Sequence, residues 1–276
     1  MIVDSHVHIL PDRVRANPAL IAASEPWFGA CHARGQPMAS AQSLLAAMDA
    51  HGVDRSVCFT WPFADPALCA EANDHLAAVV AGAPHRLTGF GIVQPLHPEA
   101  AREVTRCARL GLRGIGEMNS DAQGWGLLDD VVEAPLRESV AAGMPWTLHC
   151  SEPVGRQYPG RGTATPDRVL AFADRHPELT LICAHLGGGL PLYAHIPEVR
   201  RACDRLHFDT AAQPLVYDAS VYRALVDGVG AERILLGSDH PLVGVPRYLS
   251  ALAEAGIDAP ALELIQGGNA ARLLAL

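Results

Sequence analysis

The chain has 276 residues, of which 49% are hydrophobic and 18% charged, with a formal net charge of −9. Apolar content at that level supports a large core and excludes a disordered chain. The negative balance leaves no global positive field for a nucleic-acid backbone or an anionic membrane surface, so neither is expected as a partner. All 21 basic residues are arginine, which excludes lysine chemistry, including Schiff bases and carboxylated-lysine metal bridges. The seven cysteines contain no C-x-x-C pair, which argues against a disulfide framework or a thiolate zinc site and for a reducing compartment.

The chain runs from Met1 directly into a strand read over Ile2–His8, without the basic and apolar pattern of a leader. No apolar run reaches the roughly 20 residues needed to cross a bilayer, and a cytoplasmic protein is expected. A long connection, Ile9–Ala39, precedes a helix over Ser40–His51 and a strand over Val53–Thr60. Alternation continues with helix Asp65–Ala81, strand Leu87–Val93, helix Pro98–Leu110, strand Leu112–Met118, helix Leu127–Ala142 and strand Trp146–Cys150. A second long connection, Ser151–Thr165, is rich in Gly, Pro and Arg. Helix Pro166–His176, strand Leu179–His185, helix Ile196–Asp204, strand Leu206–Thr210, helix Ser220–Val229, strand Ile234–Ser238 and helix Pro246–Ala255 follow, and the tail Pro260–Leu276 reads as an extra helix.

One helix after each of eight strands calls for a parallel sheet, and the absence of a spare edge strand favours closure. The expected fold is an α/β protein with a single (β/α)8 TIM barrel occupying 1–276 and an extra C-terminal helix; a doubly wound open sheet is the alternative. Both long connections leave the C-terminal end of a strand, where a barrel carries its active site.

Six metal-competent side chains fall on or at the ends of these strands. Asp4-Ser5-His6-Val7-His8 places two imidazoles two residues apart, hence on one face of a strand. Glu117 lies near the end of strand four, His149 of strand five, His185 of strand six and Asp239 just beyond strand eight. Imidazoles and carboxylates converging on one rim form a donor set for a divalent cation. Zinc is the first expectation, as one or two ions, with manganese, iron or nickel as alternatives.

The motifs D-S-H-V-H, T-L-H, A-H-L-G-G and G-S-D-H-P resemble the amidohydrolase superfamily, and within it the amidohydrolase-2 branch, in order from Asp4 to Asp239. The resemblance implies that His6 and His8 bind metal with Asp239, that His149 is a further ligand, and that His185 is either a ligand or a catalytic histidine. Glu117 resembles the bridging glutamate of the TatD-like deoxyribonuclease branch, where many relatives use a carboxylated lysine. The expected activity is metal-dependent hydrolysis of an amide, ester or lactone in a small carboxylated substrate, with Asp239 as proton shuttle and His185 polarising the carbonyl. Non-oxidative decarboxylation of a small aromatic or unsaturated acid is the alternative reaction of similar proteins, and the branch also resembles metal-free lactonases. Substrate contacts are expected from Arg156 and Tyr158 in the second long connection, from Trp61 after strand two and from His240 beside Asp239. The expected partner is a small molecule; a homodimer is compatible with the sequence without being indicated by it.

Overall fold

A computed structural model describes residues 1–276. The strands are β1 (Val3–His8), β2 (Arg55–Phe59), β3 (Leu87–Gly91), β4 (Gly114–Met118), β5 (Trp146–Leu148), β6 (Leu181–Cys183), β7 (Leu206–Asp209) and β8 (Ile234–Leu235). They lie in chain order, each parallel to the next. The chain after β8 then returns to β1. Ser5 N donates to Leu236 O at 2.7 Å, Asp239 N to His6 O at 2.9 Å, and His8 N to His240 O at 2.7 Å. These bonds close the sheet into the expected (β/α)8 barrel and leave no open edge.

Several expected helices form close to their anticipated limits, including Ala41–His51, Pro66–Gly82, Ala100–Arg109, Pro166–Arg175 and Val245–Glu254. The first is opened by Ser40, whose hydroxyl accepts from Ser43 N at 3.0 Å, and closed by Gly52 in the left-handed region. The helix expected over Leu127–Ala142 is shorter: a tight turn at Asp130–Val132 leads into Glu133–Ala141. Ile9–Ala39 is not a plain loop but carries the short helices Asp12–Ala16, Pro18–Ser24 and Pro26–His32, the last two with Pro in their first turn. The tail breaks into Ala259–Glu263 and Asn269–Leu274, joined by a wide turn. There Gly267 passes so close to β1 that a Cβ would lie 2.4 Å from Met1 O.

Apolar side chains occupy two regions. The larger lies between the strands and the helices, and the smaller joins Val3, Val57, Phe59, Phe90, Ile182 and Leu235 to Ala270 and Leu274 of the last helix. A fully buried Phe such as Phe59 or Phe90 contributes on the order of 1.5–3 kcal/mol. Asn269 fixes that helix to the barrel, donating to Ala231 O at 2.7 Å and Ile234 O at 2.8 Å.

Two strand irregularities aim the polar residues inward. Pairing shifts register between Asp4 and Val7 in β1 and between Ile115 and Met118 in β4. Val3 packs with the smaller cluster and Val7 with the larger, so the shift lets His6 and His8 share the interior. In β4, Ile115 and Met118 both pack with the larger cluster, which turns Glu117 inward. Gly116, at φ 153°, is needed there because a Cβ would lie 2.9 Å from Thr147 O.

Strands β5, β6 and β8 end earlier than expected, and after β6 and β8 the chain turns where the polar residues stand. His185, Leu186, Gly187, Gly188 and Gly189 all have positive φ, and Asp239 sits at φ 59°. For His185, Leu186 and Asp239 that conformation costs on the order of 1 kcal/mol or more each. It is offset in part by hydrogen bonds from His185 N to Asp209 Oδ1 at 3.0 Å and from Asp239 N to His6 O at 2.9 Å.

Candidate metal centre

Four imidazoles and two carboxylates meet at the C-terminal end of the barrel. Each imidazole uses one nitrogen on a group that can only accept. His6 Nδ1 lies 2.8 Å from Asp209 Oδ2, and His8 Nδ1 lies 2.7 Å from Thr60 O. His149 Nε2 is 2.8 Å from Gly160 O, and His185 Nδ1 is 3.2 Å from Ala211 O. A nitrogen facing a carbonyl or carboxylate must carry the hydrogen, so the other nitrogen of each neutral ring presents a lone pair.

Those lone pairs point at one another. His6 Nε2 and His8 Nε2 are 3.1 Å apart, and His185 Nε2 and His149 Nδ1 are also 3.1 Å apart. Glu117 stands between the pairs. Its Oε1 is 2.9 Å from His149 Nδ1 and 3.0 Å from His185 Nε2, and its Oε2 is 3.6 Å from His8 Nε2 and 3.9 Å from His6 Nε2. Asp239 Oδ1 lies 3.5 Å from His8 Nε2 and 3.8 Å from His6 Nε2. Inward-facing lone pairs and carboxylate oxygens repel unless positive charge lies among them. Donor atoms of His6, His8 and Asp239, and of His6, Glu117 and His185, fall within 4.8 Å of one another. An all-nitrogen and oxygen set suits a divalent cation of the manganese, iron or zinc type, and the residues present fit one.

The protonation states carry the same message. Burial opposes the His6 cation, yet Asp209 and Glu117 outweigh it and raise its pKa to about 10. Burial likewise opposes the His185 cation, but the hydrogen bond and charge of Glu117 raise its pKa to about 9. Burial and the neighbouring His6 keep His8 below the usual imidazole range. For Glu117, burial favours the neutral acid, but the charges of His149 and His6 prevail and hold it well below the usual carboxylate range. In the protein alone, protons supply the positive charge that the cluster demands; a bound cation would displace the proton of a histidine that ligates it, such as His6.

Asp209 links two walls of the centre. It is fully buried at the end of β7, with Oδ2 on His6 and Oδ1 accepting from His185 N and Ala211 N, each at 3.0 Å. Ser238, preceding Asp239, is held in a similar way: its N and Oγ donate to Asp4 at 2.8 and 2.5 Å, and Tyr248 Oη donates to its carbonyl at 2.7 Å. Burial raises the Asp4 pKa to about 6. Such supporting bonds fix both the tautomer and the direction of a ligand.

Above the centre opens a cavity of about 280 Å³. His8, Glu117, His149, His185 and Asp239 contribute to its lining, with Trp61, Arg156 and Tyr158 among its walls. His240 is the exception among the anticipated contacts: it is absent from the lining. After the left-handed turn at Asp239, the His240 backbone pairs with β1 and its N donates to Ser238 Oγ at 3.1 Å, while Nε2 is buried without a partner. Sequence reasoning passed over His32, Cys31 and Asn119, all of which line the cavity. The signal for His32 was its spacing from Phe28, four residues apart on one helix, where the rings stack with centroids 4.1 Å apart. Asn119 announced itself only as a helix cap, accepting from Asp121 N and Ala122 N.

The fold recurs in known proteins. The structure resembles 5-carboxyvanillate decarboxylase from Sphingomonas paucimobilis with a TM-score of 0.81 and 20% identity, covering 100% of this chain and 99% of that one. A dihydroxybenzoic acid decarboxylase from Polaromonas sp., solved with bound manganese and the inhibitor 2-nitroresorcinol, matches with a TM-score of 0.73 and 20% identity over 100% and 97% of the two chains. By sequence, a gamma-resorcylate decarboxylase from Polaromonas sp. is 28% identical over 245 residues, spanning 74% of this chain and 75% of the relative.

These relatives correct one expectation. They are decarboxylases, which overturns the expected hydrolysis of an amide, ester or lactone. The Polaromonas structure holds manganese, one of the divalent cations anticipated, rather than the zinc expected first. No helix is long and apolar enough to cross a membrane. The family model described as amidohydrolase matches residues 3–276, and this chain is therefore an enzyme of the amidohydrolase superfamily.

Proposed function

We propose that the chain is a metal-dependent, non-oxidative decarboxylase of a small phenolic carboxylic acid. The observation that carries the reading is the donor cluster, four imidazoles and two carboxylates beneath a cavity, in a chain 28% identical to a gamma-resorcylate decarboxylase. His6, His8 and Asp239 would hold the cation, with Glu117 completing the set and His149 beside it. Once bound, a divalent cation supplies a Lewis acid that anchors substrate oxygens.

The chain's own groups perform the proton chemistry. Asp239 reaches both the His6/His8 pair and the cavity, and its free oxygen accepts the proton of the phenolic hydroxyl. Negative charge then spreads into the ring and makes the carbon bearing the carboxylate basic. His185 faces the same cavity, with Nε2 3.0 Å from Glu117 Oε1, and as the imidazolium it would carry the acidic proton there. It delivers that proton to the ring carbon. The carbon–carbon bond to the carboxylate breaks, its electrons return to the ring, and carbon dioxide leaves; one proton enters, and nothing is oxidised or reduced. Trp61, whose ring centroid lies 6.1 Å from that of His8, gives the ring an aromatic wall. Apolar Leu10 and Met38 keep the site poor in water, which favours loss of charge from the departing group.

The test is turnover by manganese-loaded protein of 2,6-dihydroxybenzoate and 5-carboxyvanillate. Carbon dioxide should form in equal amount to the corresponding phenol, and a reaction in heavy water should place one deuterium on the vacated ring carbon. Cation-loaded protein that releases carbon dioxide from neither acid overturns the proposal.

A further inference from the structure

One residue of the cavity wall outside the donor cluster has its hydrogen-bonding state fixed by the fold. His32 ends the helix Pro26–His32, and its Nδ1 lies 3.0 Å from Phe28 O. A carbonyl can only accept, so Nδ1 carries the hydrogen and Nε2 holds the lone pair. Burial keeps this ring below the usual imidazole range, so it is uncharged near neutral pH. No group of the protein bonds to Nε2, and that atom is not sealed off, in contrast to the neighbouring Trp61 Nε1, which is buried without a partner.

The ring is also clamped. It stacks on Phe28 with centroids 4.1 Å apart and 23° between the planes, and it meets Trp61 edge to face at 4.8 Å. Trp61 in turn lies 6.1 Å from His8, so a single indole separates His32 from a residue of the metal centre. A salicylate held to a cation by its carboxylate and adjacent phenolic oxygen turns the opposite edge of its ring, positions 4 and 5, away from the cation. Along the Trp61 wall that edge comes to His32. Other polar side chains there offer no substitute: Asn119 spends its oxygen on Asp121 N and Ala122 N, and Arg156 can only donate.

We infer that His32 is a specificity-determining residue: its Nε2 accepts a hydrogen bond from a free hydroxyl or amine at position 4 or 5 of a salicylate, and so selects that donor over an ether in the same place. This rests on the decarboxylase reading above and adds to it the substituent chosen at the end of the ring away from the metal. His32 forms and breaks no covalent bond; it reads the substrate and leaves the proton transfer to Asp239 and His185.

The experiment pairs 2,4- and 2,5-dihydroxybenzoate with 4- and 5-methoxysalicylate, by titration calorimetry on manganese-loaded protein and by carbon dioxide release. Hydroxyl and methoxy feed electrons into the ring to a similar degree, so each pair isolates the hydrogen. Wild-type protein should favour the hydroxyl ligand in at least one pair by about five- to tenfold, the worth of a neutral hydrogen bond. His32→Phe keeps an aromatic ring against Phe28 and Trp61 but has no lone pair, and it should bring that ratio to about one; His32→Gln, which retains an acceptor, should restore part of it. A purely structural role would weaken both ligands of a pair alike and leave the ratio unchanged. A wild-type ratio within twofold of one in both pairs, or a His32→Phe ratio within twofold of wild type, overturns the inference. Absence of carbon dioxide from every ligand counts against decarboxylation alone, since calorimetry still judges His32.

Discussion

Asp209→Asn is the substitution that tests the hydrogen-bond logic of the metal centre most sharply. The carboxylate now accepts on both sides: from His6 Nδ1–H through Oδ2, and from the backbone N–H groups of His185 and Ala211 through Oδ1. An asparagine offers one carbonyl and one NH2, so one side must face a donor. Turning NH2 towards two backbone N–H groups loses two bonds; turning it towards His6 loses none, provided His6 moves its hydrogen to Nε2. The second arrangement wins, and it removes the lone pair that His6 aims at the cation. Loss of a partner behind a metal-bound histidine costs about 10–100-fold in affinity, or roughly 1.4–2.7 kcal/mol. The fold should survive, because the carbonyl still accepts from both backbone groups. Competition with a chromogenic chelator measures the affinity, and nitrogen chemical shifts of labelled histidine report the tautomer. Manganese affinity within twofold of wild type, with the His6 hydrogen still on Nδ1, would refute the reasoning.

Other outcomes follow from the same geometry. His185→Gln removes the cavity-facing acid, and turnover should fall about 10²–10⁴-fold while manganese affinity changes far less; equal losses in both would make His185 a ligand instead. Manganese at about 100 times its Kd should stabilise the fold by about 2.7 kcal/mol, raising the melting temperature by several degrees, and a chelator should reverse the shift in a thermal scan. His207, half-buried with Nδ1 shielded from solvent and unpartnered, has its pKa depressed to about 4 by burial and by Arg233 and Arg272. Folding therefore disfavours its cation: the contribution to stability is complete above the unfolded pKa of roughly 6.5 and is lost as pH falls to about 4, a span of about 3 kcal/mol. His207→Leu should flatten that limb in urea titrations at stepped pH, and an unchanged limb would count against it.

The sequence carried the architecture because the barrel is repetitive. Eight apolar segments alternating with capped amphipathic stretches leave few topologies, and β1 and its H-x-H pair stand where the pattern placed them. The first connection was harder to read, since helices of five to seven residues are too short to show a period, and only the prolines at Pro18 and Pro26 marked them. At the centre, the side chains could be anticipated from their positions at strand ends. The acceptors that set their tautomers could not. Thr60 O, Gly160 O and Ala211 O are backbone atoms whose placement depends on how distant segments fold together. His240 shows the reverse failure: adjacency to Asp239 suggested a contact, but one residue in the left-handed region was enough to carry its ring out of the cavity lining. The reaction itself was the least legible feature, because hydrolysis and decarboxylation draw on the same donors and differ in what the cavity holds.

The most direct measurement is anomalous diffraction at the manganese edge from crystals of protein loaded with manganese. The account predicts a cation peak at the meeting point of His6 Nε2, His8 Nε2 and Asp239 Oδ1, with His6 Nδ1 still on Asp209. A map with no peak among those atoms, or with manganese held elsewhere on the chain, would contradict it.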